Sequence, residues 1–69
     1  MEESVLKEYF NTCNEAWRLI KTYFPYISNQ EKFWDVVVED AANVAYKSQF
    51  ASDLVQAVLR EMERNVDKD

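Results

Sequence analysis

The 69-residue chain contains no glycine, no histidine, one proline and one cysteine. Without glycine there is no backbone cradle for a phosphate, and no residue free to take the left-handed turns that tight hairpins favour. Without histidine the commonest general base and the commonest metal ligand are both missing. The lone Cys13 closes no internal disulfide and supplies no cysteine-based metal site. No apolar run nears the ~18–20 residues that cross a bilayer. The start, Met1-Glu2-Glu3, is acidic where a signal peptide is basic, so the expected setting is the cytoplasm. Basic charge is scarce too: 8 Lys and Arg stand against 13 Asp and Glu, a net charge of −5. That balance disfavours direct binding to nucleic acid or to an anionic membrane, both of which select clustered Lys and Arg.

What is present is apolar and aromatic. Hydrophobic residues make up 48% of the chain and aromatics 14%, which places it among globular proteins and not disordered ones. The length allows one small domain over residues 1–69, with no repeat or linker to divide it. Few turn residues and short polar links point to an all-α fold.

The first helix is expected over Ser4 to Phe24. Its apolar residues, Val5, Leu6, Tyr9, Phe10, Cys13, Ala16, Trp17, Ile20, Tyr23 and Phe24, recur in steps of one, three and four. At ~100° per residue they fill a sector of about 140°, with Leu19 outside it, and a stripe that wide can contact two neighbours. Pro25 ends the helix. Ser28-Asn29-Gln30-Glu31 then matches a capping box, which predicts a second helix from Ser28 to Lys47. Its apolar face carries Phe33, Trp34, Val37, Val38, Ala41, Val44 and Ala45. A third helix is expected over Ser52 to Val66 with Ser52 as N-cap, although Ser48 competes for that role and would bring Phe50 into the helix. The expected architecture is an antiparallel three-helix bundle. The alternative runs residues 28–66 as one long helix, giving a two-helix hairpin that dimerises into a four-helix bundle.

Candidate sites are few. Cys13, amid aromatics at helical spacing, is expected to be a small core residue, which leaves no nucleophile–base pair and argues against an enzyme. Trp17, Trp34, Tyr9, Phe10, Phe24 and Phe33 are assigned to the core, where each aromatic buries ~150–250 Å². Asp40 sits at the edge of the apolar face and is expected to face solvent or pair with a lysine such as Lys47. Glu31, Asp35 and Glu39 form an acidic row at i, i+4, i+8, and Arg60, Arg64 and Lys68 form a basic row. Both are expected on solvated faces, and no metal or other cofactor is implied, since hard cations need six or more gathered oxygens. A helix-turn-helix reading fails because the third helix would open on Asp53-Leu54-Val55-Gln56, acidic and apolar instead of basic.

The candidate interface is Ala42, Tyr46 and Phe50, a second apolar row at i, i+4, i+8, with Tyr26 and Ile27 in the first turn. The expected function is therefore a small acidic interaction module without catalytic activity. Its partner is another protein or a second copy of itself, with a homodimer expected through that row. The alternative is an acidic inhibitor or nucleic-acid mimic, whose carboxylates occupy the basic site of a nucleic-acid-binding protein.

Overall fold

A computed structural model describes residues 1–66 and is helical throughout, with no strand among the described residues. Helix α1 spans Glu3–Tyr23, α2 spans Glu31–Ala45 and α3 spans Gln49–Val66. The three pack on one another as a small bundle, with α3 against both α1 and α2. The long-second-helix alternative is thereby excluded.

The boundaries have local causes. The Phe24 N–H still donates to the Ile20 carbonyl, but Pro25 has no N–H to continue the ladder. The chain instead tightens into one 3₁₀ turn, Phe24–Tyr26. That turn displaces the start of α2 from the expected Ser28 to Glu31. The Ser28 Oγ accepts from the Gln30 N–H at 3.0 Å, two residues on, so the motif forms a serine turn and not a capping box. At the second corner Ser48 prevails over Ser52. Its Oγ accepts from the Ala51 N–H at 3.0 Å, three residues on, as an N-cap does. Helix α3 therefore begins at Gln49 and includes Phe50.

The core is built from small residues. Val37, Ala41 and Val44 of α2 face Ala51, Val55, Val58 and Met62 of α3, and α1 adds Ala16 and Leu19. Phe24, Phe33, Trp34 and Ile27 close over it half-buried, as the aromatic assignment requires for these rings. Edge-to-face pairs join Tyr23 to Phe33 and Phe33 to Trp34, at 6.3 and 5.4 Å between centroids.

Helix α1 departs from expectation in its rotation. Leu19, the one apolar residue outside its stripe, is 2% exposed, whereas Phe10 is 64% and Trp17 55% exposed. Leu6, Tyr9 and Cys13 are exposed as well. The inward face is Thr12, Ala16, Leu19 and Tyr23, roughly 140° round the axis from Phe10 and Trp17 at ~100° per residue. Small residues at 12 and 16 let α1 approach the groove between α2 and α3. A groove lined by alanine and valine has no room for Phe10 and Trp17 together.

The molecule is elongated, 45 × 19 × 16 Å, with a radius of gyration of 13.0 Å. A compact chain of this length has about 11 Å. Helix α1, ~31 Å long at 1.5 Å per residue, causes the excess. Its Tyr9 meets Phe50 at the start of α3, 4.9 Å between centroids, so the turns before Tyr9 project past the corner joining α2 to α3. Every residue from Met1 to Phe10 is exposed.

The rotation of α1 is testable by truncation. Leu19→Ala should cost about 2–5 kcal/mol in urea unfolding, the usual loss for a buried leucine. Leu6→Ala should stay within about 0.5 kcal/mol. Equal costs would return the helix to the orientation its apolar stripe suggests.

Candidate interaction surface

Two features of α1 define the surface: a polar clip that fixes its rotation, and an apolar seam that this rotation leaves open.

The clip centres on Asp40 of α2. Arg18 Nη2 donates to Asp40 Oδ1 at 2.8 Å and Nη1 to Oδ2 at 3.0 Å, a two-pronged pair between α1 and α2. The Tyr23 hydroxyl donates to the same Oδ2 at 2.6 Å. Arg18 Nε also reaches Glu15 Oε2, one turn back on α1, at 3.0 Å. Asp40 therefore has a partner, but it is Arg18 and not Lys47. The guanidinium bonds hold its carboxyl below the ordinary carboxylate value against the opposing effect of partial burial, and the Tyr23 bond adds to the lowering. The bond to Asp40 likewise raises the Tyr23 phenol, assisted by desolvation. Arg18 is raised by its bonds to Asp40 and Glu15. On α1, Arg18 and Tyr23 flank Leu19, so holding both on one carboxylate turns Leu19 inward.

The open seam follows. Leu6, Phe10, Cys13 and Trp17 lie in one row along the outer side of α1, spaced four, three and four residues apart. Lys21 borders it, with its ammonium 5.8 Å from the Trp17 ring centroid. Taking ~200 Å² for an aromatic ring, the row with Tyr9 exposes on the order of 500 Å² of apolar surface, at the upper end of what a monomer carries. Cys13 is therefore not a core residue, and its thiol faces solvent within the row.

The other candidate residues disperse. Ala42 is exposed on α2, and Tyr46, the residue just past its C-terminal end, is 80% exposed. Phe50 lies beyond the corner on α3 and packs half-buried against Tyr9. The expected row of Ala42, Tyr46 and Phe50 is thus broken by the turn at Tyr46–Lys47. Tyr26 is exposed and Ile27 half-buried against the core. Glu31, Asp35 and Glu39 all face solvent on α2. Arg60 and Arg64 are exposed on α3, where Arg64 pairs with Glu61 at 2.9 Å. Lys68 lies outside the described residues. No family model matches the chain, and no curated protein or solved structure is similar to it.

A concavity of about 700 Å³ forms an open shelf beside α1 lined by Glu8, Asn11, Thr12, Glu15, Lys47 and Ser48 among others. Among the described residues no three of His, Cys, Asp or Glu converge closely enough to hold a metal ion. No described helix is long and apolar enough to cross a membrane.

Sequence reasoning missed the seam's exposure because the centre of an apolar stripe ordinarily faces the core. One signal was available: at 140° the stripe was wide enough for two neighbours.

The clip makes a pH prediction. Its folded-state pKa being depressed, Asp40 contributes stability that is present above the unfolded value. That stability is lost as pH falls below about 4 toward the folded value. Asp40→Asn should remove this component of the urea midpoint between pH 7 and pH 3. It should also lower stability at pH 7 by about 1–2 kcal/mol, a charged-bond value discounted for partial exposure.

Proposed function

We propose that the protein is a non-catalytic interaction module, acting in the cytoplasm, that binds a protein through the outer face of α1. The observation that carries this is the exposure of Phe10 and Trp17, more than half in each case, in one continuous row with Leu6 and Cys13. Aromatic side chains in such a row are suited to anchoring an interface, because they bury much area at little entropic cost. A reducing compartment fits a lone exposed thiol, which would otherwise be prone to oxidation. The acidic surface fits a protein partner better than a nucleic acid.

The exposed carboxylates Glu31, Asp35 and Glu39 support a second reading, an acidic mimic that occupies a basic site on a nucleic-acid-binding protein. The two differ in salt dependence, because charge–charge attraction is screened over ~8 Å at physiological ionic strength and ~3 Å at 1 M.

Affinity capture from native cytoplasm separates them. The α1 reading expects a bound protein that survives about 0.5 M salt, is lost with Phe10→Glu and is kept with Asp35→Lys. The mimic reading expects the reverse on all three counts. Circular dichroism should show both variants folded, since each residue is exposed.

A further inference from the structure

The spacing of the seam continues into the buried part of α1. Leu6, Phe10, Cys13, Trp17, Ile20 and Phe24 follow one another at intervals of four, three, four, three and four. This is the 3.5-residue repeat of a coiled-coil seam, in which the two apolar positions of each heptad face a single partner helix. Ile20 and Phe24 are half-buried against the protein's own core, so the open length runs from Leu6 to Trp17. Helix α1 thus carries two apolar faces. Thr12, Ala16, Leu19 and Tyr23 meet α2 and α3, and the Leu6–Trp17 part of the heptad row lies open among the described residues.

We infer that the row is covered by the same row of a second copy, with the two α1 helices packed antiparallel. This rests on the interaction-module reading and names its partner. Three observations favour a second copy in this orientation. The first is size complementarity. With the two-fold axis between residues 11 and 12, Leu6 lies opposite the partner's Trp17 and Phe10 opposite the partner's Cys13. Each large side chain then meets a smaller one. A parallel pair would set Phe10 on Phe10 and Trp17 on Trp17, which overfills the layer.

The second is charge. In the antiparallel register Glu3 falls beside the partner's Lys21, and Lys7 beside the partner's uncharged Asn14. The parallel register brings Glu3 against its own copy. Opposed helix dipoles also favour the antiparallel pair.

The third is area and shape. The apolar row supplies on the order of 500 Å² per protomer, and its polar flanks bring this toward the ~800 Å² per partner of a standard interface. The turns of α1 before Tyr9, in which every residue is exposed, come to lie along the partner's α1 from Trp17 to Lys21, the part backed by its own bundle. The contact is isologous and therefore closes at two copies.

The test joins mass with register. Light scattering at about 0.5 mM, a concentration at which a Kd in the micromolar range gives full dimer, should read twice the 8.2 kDa of the chain. Phe10→Glu should weaken association by about 30-fold or more, the effect of losing an interface anchor, with the helical circular dichroism unchanged. For register, Glu3→Cys and Lys21→Cys are each made in a Cys13→Ala background, leaving the aromatic row intact. An oxidised mixture should yield the mixed disulfide dimer. Glu3→Cys alone should not link to itself, because the antiparallel register separates the two sites by roughly 25 Å, 17 residues at 1.5 Å each. Efficient self-linking of Glu3→Cys would overturn the antiparallel register. A monomeric wild-type mass would overturn self-pairing altogether. In that case capture of another protein that depends on Phe10 leaves the module reading standing, and its absence removes both.

Discussion

The arrangement of this protein turns on one carboxylate. Asp40 of α2 takes two bonds from Arg18 and one from Tyr23, and those residues stand on either side of Leu19 on α1. Charge-assisted, two-pronged bonds are directional in a way that apolar contacts are not. The pair is half-open to water, so its worth lies less in free energy than in geometry. It sets the angle at which α1 enters the groove between α2 and α3. Given that angle, Leu19 and Ala16 are inside, and Phe10 and Trp17 are outside.

The core is consistent with that choice. It is lined by alanine and valine with Leu19 and Met62 as its largest buried side chains, a narrow interior that three helices can fill by close approach. Larger rings are placed where the bundle has room: Phe24, Phe33 and Trp34 over one end, and Tyr9 against Phe50 at the other. Among the described residues no polar or charged residue is buried in the core, and no buried side-chain polar atom lacks a partner. Charge is thus confined to the surface and to the clip, and aromatic surface is left over on one helix face.

That surplus is what gives the molecule an outward chemistry. A chain of this size buries only ~60% of its unfolded surface, so covering a further apolar row by association is a common route to stability. The row has a regular 3.5-residue spacing, and a helix of matching spacing is the complement it fits. The acidic row, Glu31, Asp35 and Glu39, lies on another helix, α2, and is exposed there.

The sequence by itself determined the class and number of elements. Absent glycine, one proline and three amphipathic segments left little besides three short-linked helices, and Pro25 fixed the first break because its ring and missing N–H act locally. The core-facing residues of α2 and α3 were largely legible, since Val37, Ala41, Val44, Val55, Val58 and Met62 are buried as their periodicity implies, whereas Val38, expected on the same face of α2, is 51% exposed. Smaller choices were close in energy and went to whichever hydroxyl had the better geometry: Ser48 over Ser52 at the start of α3, and a serine turn in place of a capping box at Ser28. What only the tertiary structure decided was the rotation of α1. Its apolar stripe spans ~140°, and over that width periodicity states which residues are apolar but not which half meets the core. The answer depended on a bond between residues 22 positions apart, Arg18 and Asp40. No pattern local to either helix encodes that partnership, because it forms only when the two helices are already side by side.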